Sequence, residues 1–132
     1  MNRLKGTIKE IETEGHLSLV RLSTASGNLS CIVIDTPESC PYLKEGREVK
    51  ILFKETEVAI GLSNIKGISL QNQIAGHITQ IDEGKLLARI VLDTASGSVT
   101  AIITSRASKQ LQLSQGLEVL ALIKTNEIML AE

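Results

Sequence analysis

Leu22-Ser23-Thr24-Ala25-Ser26-Gly27 is met again 70 positions later as Leu92-Asp93-Thr94-Ala95-Ser96-Gly97. Outward from this pair, the same offset carries Asn2, Gly6, Ile8 and Ile11 onto Asn72, Gly76, Ile78 and Ile81. Toward the C-terminus it carries Gly46, Glu48 and Val49 onto Gly116, Glu118 and Val119, and Lys54 and Glu57 onto Lys124 and Glu127. Gly15 and Gly84 miss by one residue, so one hairpin differs in length by one. An ordered series of matches along the whole chain is a duplication, and such a repeat decides the architecture before any motif does. We divide the chain into a first copy, 1–66, and a second, 67–132. A module of about 65 residues is marginally stable alone, so fusing two copies helps each.

The runs on both sides of Thr-Ala-Ser-Gly are β-rich, and the glycine accepts positive φ, which together predict a hairpin. Before it, Leu4, Gly6 and Ile8 alternate with Lys5, Thr7 and Lys9. After it, Asp35-Thr36-Pro37-Glu38-Ser39 looks like the capped start of a short helix, Lys44-Glu45-Gly46 is a turn, and Val49, Ile51 and Phe53 alternate with Lys50 and Lys54. Val58-Ile60-Leu62 is expected to close the copy, and the second copy repeats the order with a clearer helix at Ser105 to Leu111. The prediction is an all-β chain of two tandem five-stranded OB-like Greek-key barrels, each with one short helix between its third and fourth strands. Several strands are apolar on both faces: Val119, Ala121 and Ile123 on one, Leu120 and Leu122 on the other. A sheet solvated on one side shows polar residues there, so these strands call for packing on the sister copy and for a homo-oligomer.

Composition narrows the function. Hydrophobic residues make up 42% of the chain and charged residues 22%, which supports a folded core and argues against disorder. The formal net charge is −1, whereas a nucleic-acid binder carries a basic surplus. One Tyr, one Phe and no Trp leave few platforms for stacking bases. No apolar run approaches the ~20 residues that span a bilayer. Cys31 reads as a small buried hydrophobe and Cys40 as a turn residue; without a signal peptide or a cysteine framework, the expectation is a reduced, soluble, cytoplasmic protein. His16 and His77 lack metal-ligand spacing. There is no nucleophile elbow, P-loop or spaced acid pair, and the expectation is that the protein is not an enzyme.

The segment Ser69-Leu70-Gln71-Asn72-Gln73-Ile74-Ala75-Gly76-His77-Ile78 resembles the opening of the molbindin, or TOBE-type, modules of molybdate-binding proteins, which reads Ser-x-Arg-Asn-x-x-x-Gly-x-Ile/Val. Lys124-Thr125-Asn126-Glu127-Ile128 and Lys54-Glu55-Thr56-Glu57-Val58 are similar to the family's lysine segment after the fourth strand. The resemblance covers essentially the whole chain twice, as in a tandem molbindin. It implies a bound oxyanion, molybdate or tungstate, held between modules by the opening segment of one and the lysine segment of another. It also implies an oligomer, with a trimer of tandem chains as the family pattern.

The implied oxyanion-binding residues are Ser69, Leu70, Gln71, Asn72, Lys124 and Thr125, with Lys54 and Asn2 in the first copy. The chemistry suits the ligand. A tetrahedral dianion needs donors and some positive charge, but no inward carboxylate. Ser69 and Thr125 offer hydroxyls, the N–H groups of Leu70 and Gln71 a nest, and Lys124 a point charge. Asn72 and Asn2 have a second reading as strand-start residues bonded to local backbone.

The sequence departs from the family pattern in three places. Gln71 stands where the family has Arg, the Ser and Arg positions before Asn2 are absent, and Glu55 follows Lys54 where a small residue is expected. These departures motivate an alternative: a non-catalytic assembly or interaction module that keeps the fold and has lost the ligand. An OB-type oligonucleotide binder is the third reading, opposed by charge and aromatic content.

Overall fold

A computed structural model describes residues 1–132. The alternating segments form β1 (Asn2–Glu14), β2 (Leu17–Thr24), β3 (Gly27–Val33), β4 (Glu48–Phe53) and β5 (Ala59–Leu62) in the first copy. The second copy supplies β6 (Asn72–Glu83), β7 (Leu87–Thr94), β8 (Gly97–Thr104), the helix α1 (Ser105–Gln110), β9 (Glu118–Ile123) and β10 (Met129–Ala131). All strand pairs are antiparallel, in two five-stranded sheets, as expected for the all-β class.

The sheets do not follow the sequence copies. Their orders are β10-β4-β1-β2-β3 and β5-β9-β6-β7-β8. The strand expected to close the first copy therefore closes the second, and the reverse. Ala59, Ile60, Gly61 and Leu62 pair with Leu122, Ala121, Leu120 and Val119 of β9, while Met129, Leu130 and Ala131 pair with Leu52, Ile51 and Lys50 of β4. A single 3₁₀ turn, Glu55–Glu57 or Thr125–Glu127, sends each tail across. The exchange is cheap because β4 and β9 are homologous templates, and tethering keeps the sister's template at high local concentration.

The exchange merges the interiors into one hydrophobic cluster that draws on both copies, from Leu4, Ile8 and Phe53 to Ile74, Ile90 and Ile123. It also explains the strands that are apolar on both faces. Leu122 is only 3% exposed, covered by β5, and the linker residue Ile65 lies on Gly61 of that strand. Met129 is 43% exposed, because β10 is an edge strand and turns this side chain outward.

The repeated turns meet at the pseudo-twofold axis. In each, the threonine hydroxyl donates to the glycine carbonyl (Thr24 to Gly27, 2.7 Å; Thr94 to Gly97, 2.6 Å), and the serine N–H donates back to the hydroxyl. Gly27 and Gly97 have φ of +103° and +104°, a conformation that disfavours side chains. Ser26 Oγ and Ser96 Oγ, equivalent residues of the two copies, share a 2.7 Å hydrogen bond.

Only the second copy forms the expected helix. Thr104 caps α1 by accepting from the Ala107 N–H, and the Leu111 N–H closes it on the Ala107 carbonyl at 3.0 Å. Pro41 occupies the position equivalent to Leu111 and has no N–H, while it also disfavours helical backbone at Cys40. The first copy settles for a turn in which Ser39 Oγ accepts from the Thr36 N–H at 2.8 Å.

Gly76 marks a tight strand crossing. A Cβ there would lie 2.7 Å from the Asp93 carbonyl oxygen and 2.9 Å from Thr94 Cγ2, whereas at Gly6 the nearest atom is the flexible Ile51 Cδ1. We expect Gly76→Ala to cost about 1–3 kcal/mol through backbone displacement, and Gly6→Ala to cost less. Urea denaturation of both variants checks this; equal losses would mean that the β7 backbone gives way as easily as a side chain.

Candidate functional site

Each sheet ends at one pole where three chain segments converge. At the second-copy pole, Asn72 of β6 pairs with Ile123 of β9, so Gln71 and Lys124 are neighbours just beyond the paired ends. The 3₁₀ turn after Lys124 packs against β3 of the first copy. The first-copy pole repeats this arrangement. Asn2 pairs with Phe53, Lys54 follows, and the turn Glu55–Glu57 packs against β8.

The asparagines hold the copies together. Asn72 Nδ2 donates to the Ser30 carbonyl at 2.8 Å and its Oδ1 accepts from the Ser30 N–H at 2.7 Å. Asn2 does the same to Thr100, with both bonds 2.8 Å. Each amide thus imitates a strand partner for the edge strand, β3 or β8, of the opposite copy. Edge strands expose unpaired N–H and C=O groups, and these clasps satisfy them. Asn72 and Asn2 are 1% and 6% exposed, and their amides are committed to backbone of the opposite copy rather than to the local backbone expected from the sequence. Ser30 and Thr100 had no signal in the sequence, because they act through main-chain atoms.

The other expected site residues lie at the rim of these poles. Ser69, Gln71, Lys124 and Lys54 are exposed, while Leu70 and Thr125 are half-buried. Gln73 Nε2 donates to the Leu70 carbonyl at 2.8 Å and pins the opening segment. Neither Lys124 nor Lys54 belongs to any ion pair, so both ammonium groups are available. Lys124 adjoins the opening segment of its own copy, with β3 of the other copy alongside, so the contribution from both copies differs from a simple pairing of one opening with another's lysine. At the first pole, Glu55 Oε1 lies 3.4 Å from Met1 N.

Cys31 and Cys40 are free thiols, and burial pushes Cys31 up to about 12, which keeps it neutral. Tyr42 is likewise pushed up to about 12, first by burial and then by its hydrogen bond with Cys40; its hydroxyl donates to the Leu130 carbonyl at 3.1 Å. His77 Nε2 sits 3.9 Å from Asp93 Oδ2, and no group of three or more His, Cys, Asp or Glu residues is placed to hold a metal ion. No helix is long and apolar enough to cross a membrane.

Interlocked five-stranded sheets, each ending in a pole with a free lysine, define a duplicated OB-like β module. The chain belongs to the TOBE-domain family, whose model matches residues 1–60 and again 68–130, and it is a tandem protein of the molbindin type. Over 115 residues, 85% of this chain, it is 28% identical to the molybdenum-pterin-binding protein MopB of Rhodobacter capsulatus, covering 43% of that protein. The molybdenum transport protein ModE of Azotobacter vinelandii is 26% identical over 98% of this chain, with 49% of its own length covered. The chain thus spans less than half of each of these longer relatives. The solved structure of the cytoplasmic molybdate-binding protein ModG, with molybdate bound, superposes with a TM-score of 0.90 at 25% identity, covering 98% of this chain and 94% of that one.

Proposed function

We propose that this chain binds molybdate or tungstate in the cytoplasm, without catalysis, as a store, buffer or delivery protein. The carrying observation is Lys124, an unpaired ammonium at a strand end next to Gln71, with Ser69 and Thr125 in the flanking segments. A dianion there would gain hydroxyl and N–H donors together with positive charge. Asn72 and Asn2 act in this reading by fixing where the opening segments start, and Lys54 serves the first pole. The similarity to molybdate-bound ModG over nearly the whole of both chains supports the ligand class.

Calorimetric titration of the full chain with molybdate and tungstate tests the reading. A hydrogen bond to a charged group contributes about 1.5–3 kcal/mol, so Lys124→Ala is expected to weaken binding roughly 10- to 100-fold, and Ser69→Ala about 10-fold. No heat and no thermal shift at millimolar oxyanion would sink it.

We also propose that the modules, 1–66 and 67–132, assemble further as a homo-oligomer, with a trimer of tandem chains as the expected state. Support comes from apolar residues left outside: Leu17 at the start of β2 (49% exposed) and Ile34 just past β3 (80%) in the first copy, Leu86 (75%) and Leu87 (57%) around the start of β7 in the second. Light scattering with and without molybdate measures the state. The same patches favour the alternative of an assembly module without ligand, which a normal oligomer devoid of bound molybdenum would support.

A further inference from the structure

We propose that Glu55 is a built-in anion that closes the first-copy pole to oxyanions, so that one chain carries one competent pole and one self-occupied pole. The inference rests on the proposed function and names the residue that regulates occupancy.

The two poles have the same backbone. Lys54 and Lys124 precede their 3₁₀ turns with φ and ψ of −73° and 146° against −69° and 148°. The first residue of each turn therefore projects in the same direction, and that residue is Glu55 at one pole and Thr125 at the other. Both are half-buried. Where the second pole presents a hydroxyl that can donate, the first presents a carboxylate that only accepts.

The carboxylate has one charged contact. Glu55 Oε1 forms an exposed 3.4 Å ion pair with the α-ammonium of Met1, whose nitrogen the repeat aligns with the N of Gln71. That nitrogen in the second copy is one of the nest donors assigned to the ligand. Glu55 thus places its own negative oxygen on the first-copy equivalent of a ligand donor, within two residues of the lysine that would attract the ligand. An incoming dianion finds the Met1 nitrogen already paired with the protein's own carboxylate, whereas no carboxylate is paired in this way beside Lys124.

The test is the stoichiometry of molybdate bound to the full chain, by equilibrium dialysis with elemental analysis, for the unaltered protein, Glu55→Thr and Glu55→Gln. Thermal melting confirms folding, and Thr is the residue the fold already accepts at the equivalent position. The expected result is that Glu55→Thr raises bound molybdate per chain, with Glu55→Gln also raising it. In the Glu55→Thr background, Lys54→Ala should remove the gain, and Lys124→Ala should remove the binding that the unaltered chain shows. Unchanged stoichiometry in both Glu55 variants, while the unaltered chain binds, would overturn the inference and leave the proposed function standing. Absence of molybdate from all of the proteins would overturn both.

Discussion

Asn72→Ala is expected to lower folding stability by about 2–5 kcal/mol, far more than the loss of a surface amide. The side chain gives two hydrogen bonds to one residue, Ser30, at 2.7 and 2.8 Å. Alanine restores neither, and leaves the Ser30 N–H and carbonyl without these partners beside the edge of β3. Each buried polar group stripped of its partner costs about 1–3 kcal/mol, so the pair accounts for the range. Asn72→Asp is no remedy: it keeps an acceptor for the Ser30 N–H but loses the donor and buries a charge. Asn2→Ala should behave alike through Thr100. Equilibrium urea denaturation measures the loss, and a change below about 0.5 kcal/mol, typical of ordinary surface positions, would show that the clasp is energetically idle. Because the clasp joins the copies, hydrogen exchange at Ser30 should accelerate in the Asn72 variant although it lies in the other half of the chain.

Ending the chain after Glu127 is expected to damage the first-copy sheet and spare the second. The deletion removes β10, whose partners are Lys50, Ile51 and Leu52 of β4. It also removes Ile128, 2% exposed, and the Leu130 carbonyl that holds Tyr42. Burial of one large aliphatic side chain contributes about 1.5–3 kcal/mol, and the lost ladder and tyrosine bonds add to it. The total approaches the 5–15 kcal/mol that stabilises a typical domain. The shortened protein should therefore lose exchange protection in β4 while β9, still flanked by β5 and β6, keeps most of its own. Loss confined to β9 would mean that the tails fold back on their own copies.

The residues show why part of this was legible. Alternation at Leu4, Gly6 and Ile8, the doubled Thr-Ala-Ser-Gly turn and the offset of 70 predicted every strand of the first copy and its counterpart in the second. Hairpins and strands are local, set by side-chain period and turn chemistry. The helix expected in the first copy does not form, since Pro41 denies the closing N–H that Leu111 supplies. The lysines and the opening segment stood out through their resemblance to a family. The occupancy of Asn72 and Asn2 by backbone of the opposite copy did not, because Ser30 and Thr100 take part through atoms that every residue has.

By itself, the sequence determined the duplication, the strand content and the unequal chemistry of the two lysine segments, because these depend on residues near one another in the chain. Only the tertiary structure decided which sheet each last strand joins. Val58-Ile60-Leu62 and Ile128-Met129-Leu130 fit β4 and β9 equally well by pattern. The choice rests on the direction in which a 3₁₀ turn releases the chain and on the burial gained when two small cores merge into one.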